Sequence, residues 1–399
     1  MVKFAATLMA LSAALLGCQS GPVPIAPTDH PMMFAASKSP SAVTRVWSRK
    51  IPGWMTDVNL SEAGNAVLVA TQPDHDNGTG AFALTLVDAK KGSVKWTHEM
   101  GGQVKAQDLS QDGSLIVISD YDDELIAYNA SGKKLWTASA VCKPTILNAP
   151  RKILCFHDDD AEPDVVFDVF DFNGKKLESL AAKTDVLLMK VSEDQKHFVA
   201  AFAGGGISLF GTKTFKLIWH KKLGGEIVDI ALSSGEEPSV SALYKPSGPK
   251  RGGQRIALID FRSKTVSTVQ PNWFTEQLEM PPSGDCVYAY GNGPKGQSLS
   301  CFSPPSLKEA WGRRDKRFAD YSSQLLAAGD VAVVGFEDLA GESRHSHLLV
   351  FDREGGLQAN IPLQTDEGAY VYAQGYSPQA SLIAVGTDDG TLSGYRLSK

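Results

Sequence analysis

Five tryptophans, Trp47, Trp96, Trp136, Trp219 and Trp311, each lie in a short alternating strand that follows a polar turn. The clearest copies run Leu86-Val87-Asp88-Ala89-Lys90-Lys91-Gly92-Ser93-Val94-Lys95-Trp96 and Ile126-Ala127-Tyr128-Asn129-Ala130-Ser131-Gly132-Lys133-Lys134-Leu135-Trp136. Successive intervals are 49, 40, 83 and 92 residues. The last two are each about twice a period of roughly 40–45 residues, so some copies have lost the tryptophan. A unit that short cannot bury both faces of its own sheet. Each copy has to pack on its neighbours around a shared axis, as in a solenoid or a propeller.

From Trp54 onward the chain cycles through four strands with period-2 alternation and Gly-rich breaks, and no long helical period appears. The first turn of the cycle has a recurrent chemistry: Leu60-Ser61-Glu62-Ala63-Gly64, Leu109-Ser110-Gln111-Asp112-Gly113, Val191-Ser192-Glu193-Asp194-Gln195 and Tyr376-Ser377-Pro378-Gln379-Ala380. Ser, Asp and Gly suit such a turn because they bond their own backbone or accept positive φ. Seven complete cycles begin near residues 54, 103, 139, 184, 225, 273 and 317, and an eighth, at about 368–397, has only three strands. Residues 43–51, with Trp47, read as a fourth strand that lacks its first three. The expected fold is therefore all-β, an eight-bladed β-propeller over residues 43–399 closed by an N-terminal strand, with a seven-bladed ring as the alternative. Closure of this kind removes two exposed sheet edges. The tryptophans are expected to fill the wedges between adjacent sheets rather than to hold a cofactor.

Residues 1–17 read as an export signal: Lys3 supplies a short basic start, and the apolar stretch to Leu16 is too short to span a bilayer. It ends in Leu15-Leu16-Gly17-Cys18, which resembles the lipobox of bacterial lipoproteins, whose cysteine is lipidated. Residues 18–42 then form a tether rich in Pro, Ser and Ala behind a lipidated Cys18. Several acyl chains on one residue suffice for stable anchoring, and no later stretch approaches the ~18 apolar residues of a membrane helix. The net charge of −6 becomes −7 without Lys3, which argues against nonspecific nucleic-acid binding.

Export would place the four remaining cysteines in an oxidising compartment. Cys142 and Cys155 stand symmetrically about Asn148-Ala149, and Cys286 and Cys301 about Gly293-Pro294. Each pair can face across a hairpin within one blade, so two disulfides are expected, with buried free thiols as the alternative.

The ending Asp/Asn-x-x-Gly-Lys-x-x-Trp is similar to the repeat of pyrroloquinoline-quinone-like propellers, and the first-turn Ser-x-Asp-Gly resembles WD40-like repeats. With the lipobox, the short tether, eight blades and the N-terminal Trp strand, the whole resembles the BamB family, lipoproteins of the outer-membrane β-barrel assembly machinery. The run Asp388-Asp389-Gly390-Thr391-Leu392-Ser393-Gly394-Tyr395-Arg396-Leu397 looks like that family's last strand. The resemblance implies a noncatalytic scaffold without cofactor, held at the periplasmic side of the outer membrane by its lipid. It implies a monomer within a hetero-complex, binding a protein partner through propeller loops. Several blades depart from the pattern, with Glu178 at the tryptophan place of the third, and no partner-contact residue carries over. Quinone-dependent dehydrogenases share the blades but use adjacent cysteines; the chain has no Cys-Cys pair, and no Cys-x-x-Cys-His for haem.

Alternating strands place the second and fourth connections of each blade on one face and the first and third on the other. The second connections of blades 8, 1, 2 and 3 are acidic: Asp388 and Asp389; Asp74 and Asp76; Asp120, Asp122, Asp123 and Glu124; Asp158, Asp159, Asp160, Glu162 and Asp164. Those of blades 5 and 6 are basic, with Lys245, Lys250, Arg251 and Lys295. An acidic arc opposite a basic arc would orient a charged partner. The third connections collect Lys90, Lys91, Lys133, Lys134, Lys175, Lys176, Lys213 and Lys216, which could meet anionic lipid headgroups. The acidic loop from His157 to Asp164 lacks the Gly and Glu of an EF-hand-type calcium loop, and Arg344-His345-Ser346-His347 lacks a third metal ligand. No Gly-x-Ser-x-Gly, His-Glu-x-x-His or phosphate-binding loop occurs. Two competing functions remain: a periplasmic hydrolase or lyase with its site at the central channel, and a carbohydrate- or envelope-polymer-binding propeller marked by exposed aromatics such as Trp54 and Trp273.

Overall fold

The computed structural model describes residues 43–398 apart from 74–79, 123, 141, 158–164, 182–183, 248–252, 294–295, 316–324, 330, 339–344 and 364–370. The described chain makes eight four-stranded antiparallel sheets. Their first, innermost strands are Trp54–Leu60, Val104–Leu109, Lys143–Leu147, Val186–Val191, Gly225–Leu232, Phe274–Glu279, Leu325–Ala328 and Val371–Ser377, which open blades 1 to 8 in order. In blade 8 the outermost strand is Val43–Lys50, paired antiparallel to Thr391–Leu397 from Val43 opposite Leu397 to Lys50 opposite Thr391. The ring is thus eight-bladed and closed by the N-terminal strand.

Apolar clusters join neighbouring sheets, and between blades 6 and 7 the Trp311 ring stacks on Phe351. Ala66, Leu68 and Leu84 of blade 1 meet Ile116 and Ile118 of blade 2, and Leu154 and Phe167 of blade 3 meet Phe198 of blade 4. Met55 and Val69 of blade 1 meet Leu382 and Leu392 of blade 8, which completes the circle. The strands that supply these residues are apolar on both faces because both lie in a wedge, as in any sheet covered on two sides.

Two features of the blades recur. Six innermost strands carry a bulge within their first four residues, for instance between Met55 and Asp57, Val104 and Ala106, Ile227 and Asp229, and Thr275 and Gln277. The second is a tryptophan seat. The indole Nε1 of Trp47 donates to the Ala89 carbonyl of blade 1 at 2.6 Å, Trp96 to Ala130 of blade 2 at 3.1 Å, Trp136 to Phe172 of blade 3 at 2.9 Å, and Trp311 to Arg353 of blade 7 at 2.7 Å. In each case the ring lies on the glycine of that same turn, Gly92, Gly132, Gly174 or Gly355, which has positive φ and no room for a Cβ. The tryptophans therefore act in packing, with their partner in the next blade.

Cys142 and Cys155 come together in the inner hairpin of blade 3, with Cα atoms 5.3 Å apart, and Cys286 and Cys301 in the middle hairpin of blade 6, 5.6 Å apart. Both separations suit a disulfide. One expectation is corrected. Trp273 is not an exposed aromatic at the ring entrance: it is 8% exposed and packs with Leu278 and Met280, while Trp54 is half-buried.

Candidate functional site

Antiparallel order places the first and third turns of every blade on one face, here the turn face, and the second and fourth connections on the opposite face. Val43 pairs with Leu397 where a third turn would stand in blade 8, so the chain enters the propeller on the turn face.

The first turns ring the channel mouth on the turn face. A buried serine organises them. Ser61 Oγ accepts from the Asn65 and Ala66 amides, Ser110 Oγ from Leu115, and Ser192 Oγ from His197. The turns of blades 1 to 4 are also bonded in succession. Ala63 N donates to Gln111 O at 2.9 Å, Gln111 N to Asn148 Oδ1 at 2.8 Å, and Asn148 N to Gln195 Oε1 at 2.7 Å. Gln195 Nε2 then reaches across the mouth to Glu62 Oε1 at 2.9 Å, tying blade 4 to blade 1. These turns surround a pocket of about 420 Å³ lined by Glu62, Gln111, Asn148, Glu193, Asp194 and Gln195 among others. Burial raises the pKa of Glu62 and of Glu193; the bond from Gln195 pulls Glu62 back, and neighbouring Glu62 and Asp194 push Glu193 further.

Deeper in, polar side chains of the innermost strands reach the neighbouring blade. Asp108 Oδ2 accepts from Ile146 N at 2.5 Å and its Oδ1 from Leu109 N at 2.7 Å. Asp229 Oδ2 accepts from Leu278 N at 2.6 Å and its Oδ1 from Ile230 N at 2.9 Å. Gln277 Oε1 takes the Leu325 amide at 2.7 Å, and Asn59 Nδ2 donates to Gln107 O at 2.8 Å. Burial pushes Asp57 up to about 6, Asp108 to about 7 and Asp229 to about 6, against the lowering effect of these amide bonds and, for Asp229, of Lys190. Lys190 of blade 4 meets Glu279 of blade 6 at 2.6 Å, across blade 5, and the Glu279 charge raises its pKa despite burial. Beside this pair is a second pocket of about 420 Å³, lined by Asp229, Gln277 and Gln374 among others.

Chemically, the arrangement ties blades. Asp108 and Asp229 each accept a backbone amide on both carboxylate oxygens, one of the two from the next blade.

The charged arcs expected on the opposite face are described only in part: Asp123, Asp158, Asp160, Lys250 and Arg251 lie outside the described residues, as do Asp74, Asp76, Asp159, Glu162, Asp164 and Lys295. Asp120 Oδ1 accepts from the Asp122 and Glu124 amides, shaping its own turn, and Asp122 is exposed. Asp388 is half-buried in the turn before Thr391. Asp389 takes Lys50 Nζ at 2.8 Å and the Thr391 amide at 2.8 Å, which pins the closing strand and holds its carboxyl below the usual range despite burial. Lys245 stands 4.0 Å from Glu226. His347 Nδ1 lies 2.7 Å from Asn360 Oδ1. Sequence reasoning missed Gln195 and the Lys190–Glu279 pair. The only available signals were a glutamine in place of the turn glycine and a lysine amid an apolar inner strand.

A family model described as outer membrane protein assembly factor BamB matches residues 41–159, the closing strand and the first blades. No curated protein matches the chain. Among solved structures, BamB from Moraxella catarrhalis is similar at a TM-score of 0.56 and 15% identity, covering 89% of this chain and 97% of that one. The Cps50 (Swd1) β-propeller domain from Myceliophteria thermophila is similar at 0.52 and 11%, covering 88% and 99%. At these identities the structures attest the propeller fold alone, while the family model carries the BamB likeness through the strand that closes the ring. The chain is an eight-bladed β-propeller that resembles the BamB family over residues 41–159.

Proposed function

We propose that the chain is a noncatalytic scaffold, anchored through a lipidated Cys18 at the periplasmic side of the outer membrane, whose rims bind a protein partner of outer-membrane protein assembly. The observation that carries this is the BamB family match from residue 41, which includes the closing strand and its Trp47. A ring tied at every level, by tryptophan seats, first-turn bonds and inner carboxylates, supports rigid display of loops. The charged loops around Asp120, Asp122, Asp388 and Lys245 are the proposed recognition elements of the face opposite the tether.

The test is crosslinking in intact envelopes followed by purification of the chain and identification of what it carries. Recovery of a membrane-barrel or assembly protein is expected. Recovery of none, with the chain folded and lipidated, overturns the reading and moves the choice to an enzyme or a polymer binder.

A further inference from the structure

The outermost strands of blades 1 to 4 share a pattern that packing does not explain. Their turns present two exposed lysines each: Lys90 and Lys91, Lys133 and Lys134, Lys175 and Lys176, Lys213 and Lys216. Next to them stand exposed apolar side chains, Val94, Leu135, Leu177, Leu217 and Ile218, between 38% and 53% exposed. Leu135, Leu177 and Ile218 occupy the same structural position, an edge-strand bulge one residue before the tryptophan place. A bulge leaves its residue outside the ladder and re-aims its side chain, so these residues project from the rim instead of packing in the wedge. Of the seven large apolar side chains exposed among the described residues, five are here. The same bulge in blades 6 and 7 carries Ala310 and Gln358, so the apolar pattern is not a by-product of the bulge.

The carboxylates nearby offset only Lys176 of these lysines among the described residues. Asp88 Oδ1 and Asp171 Oδ1 cap their own turns by accepting backbone amides. Lys176 also meets Asp168 at 2.7 Å, and Glu178 is exposed beside Leu177. The result is a basic arc interleaved with single apolar side chains along four consecutive blades, on the turn face. Val43 enters the propeller on that face, and the chain ahead of it carries Cys18.

We propose that this rim of blades 1 to 4 docks on an anionic lipid surface, the lysines against headgroups and Leu135, Leu177, Leu217 and Ile218 inserted at the interface. The proposal rests on the anchoring reading only for how the chain is brought to the membrane. Charge complementarity and the side on which the tether joins select a lipid surface over a groove-binding protein, since single apolar residues one blade apart make no continuous groove. Docked in this way, the ring stands tilted, with blades 5 to 7 and the opposite face left for a partner.

The experiment uses the full chain isolated with its native N-terminus and reconstituted in vesicles, either of phosphatidylcholine or with about one-third phosphatidylglycerol. An environment-sensitive fluorophore is placed at Leu135→Cys or, as control, at Phe274→Cys, which is exposed outside this rim. Nitroxide lipids are expected to quench the first label in anionic vesicles, and neither label in neutral ones. The quadruple variant Lys90→Gln, Lys91→Gln, Lys133→Gln, Lys134→Gln should weaken the quenched state at least about tenfold, as should high salt. Mass analysis of the Cys18 peptide reports anchoring separately: an unlipidated chain whose Leu135 label is still quenched on anionic vesicles supports the docking and refutes the anchor. A lipidated chain whose Leu135 label stays in water overturns the docking and leaves the anchor standing. A patch buried instead in a dimer that Leu135→Ser dissolves also overturns it.

Discussion

The seat of Trp47 lends itself to a double-mutant cycle. Gly92 has φ of 67°, and a Cβ there would stand 2.7–2.9 Å from the Cγ, Cδ2 and Cε3 atoms of the Trp47 ring. Gly92→Ala should therefore lose about 1 kcal/mol to the left-handed backbone and about 1–3 kcal/mol to the clash. Trp47→Ala removes a ring that is 9% exposed, together with its 2.6 Å bond to Ala89 O, and should lose about 3–5 kcal/mol. With the ring gone the methyl meets nothing, so the double variant should be about 1–3 kcal/mol more stable than the sum of the two singles. Equilibrium urea unfolding of the full chain, followed by far-UV circular dichroism because a fluorophore is removed, gives the four stabilities. Additivity within about 0.5 kcal/mol would refute the idea that the glycine exists for the indole.

Lys264 occupies the glycine position of blade 5 with φ of 54°, so Lys264→Gly should raise stability by about 1 kcal/mol, read as a higher unfolding midpoint. The folded pKa of Asp108, about 7 against an ordinary 3.8, means that its stabilising contribution is present below about pH 4 and lost as pH rises through 7. Relative to Asp108→Asn, the wild type should thus lose up to about 4 kcal/mol between those limits, and parallel pH–stability curves would contradict this. Peptide mapping under non-reducing conditions should recover Cys142 with Cys155 and Cys286 with Cys301, and reduction should cost about 3 kcal/mol for each closed loop. Four titratable thiols in the unreduced, denatured chain would exclude both bridges.

Most of the ring was legible because its causes are local. Tryptophan after glycine at a fixed spacing, serine-opened turns and a three-strand terminal cycle each follow from what one blade needs, and they located the closing strand. The ties between blades were not legible. Asp108 and Asp229 look like solvated carboxylates in sequence, but the ring sets them against amides about 40–50 residues away in the chain. Gln195 crosses to Glu62 at a separation of 133 residues, a distance at which no periodicity speaks. The surface arcs were only partly informative for a related reason: Asp120 and Asp389 look like free charges and instead shape a turn and pin a strand.

The blades without tryptophan, which sequence alone shows only as departures from the repeat, follow a rule of pairs. An indole needs a glycine seat in the next blade, and where the seat is filled the indole is missing. Glu178 replaces it in blade 3, and the facing seat in blade 4 holds Phe215, 3% exposed and packed into the cluster shared by both blades. Ser267, opposite Leu258, stands at its place in blade 5, and the seat in blade 6 holds Leu307, 1% exposed. Ala359 replaces it in blade 7, which faces the junction where the chain's two ends meet and no turn exists to provide a seat. Trp219 is the exception. Its seat is Lys264, and its buried Nε1 has no acceptor among the described residues. The wedge is thus filled either from the outer strand or from the neighbouring turn, so departure from the repeat is no sign of a looser ring. Where the indole or the turn residue fills the wedge, a partner that binds the rim meets a stiff platform, and variation between blades is left to the loops and outer-strand bulges that face outward.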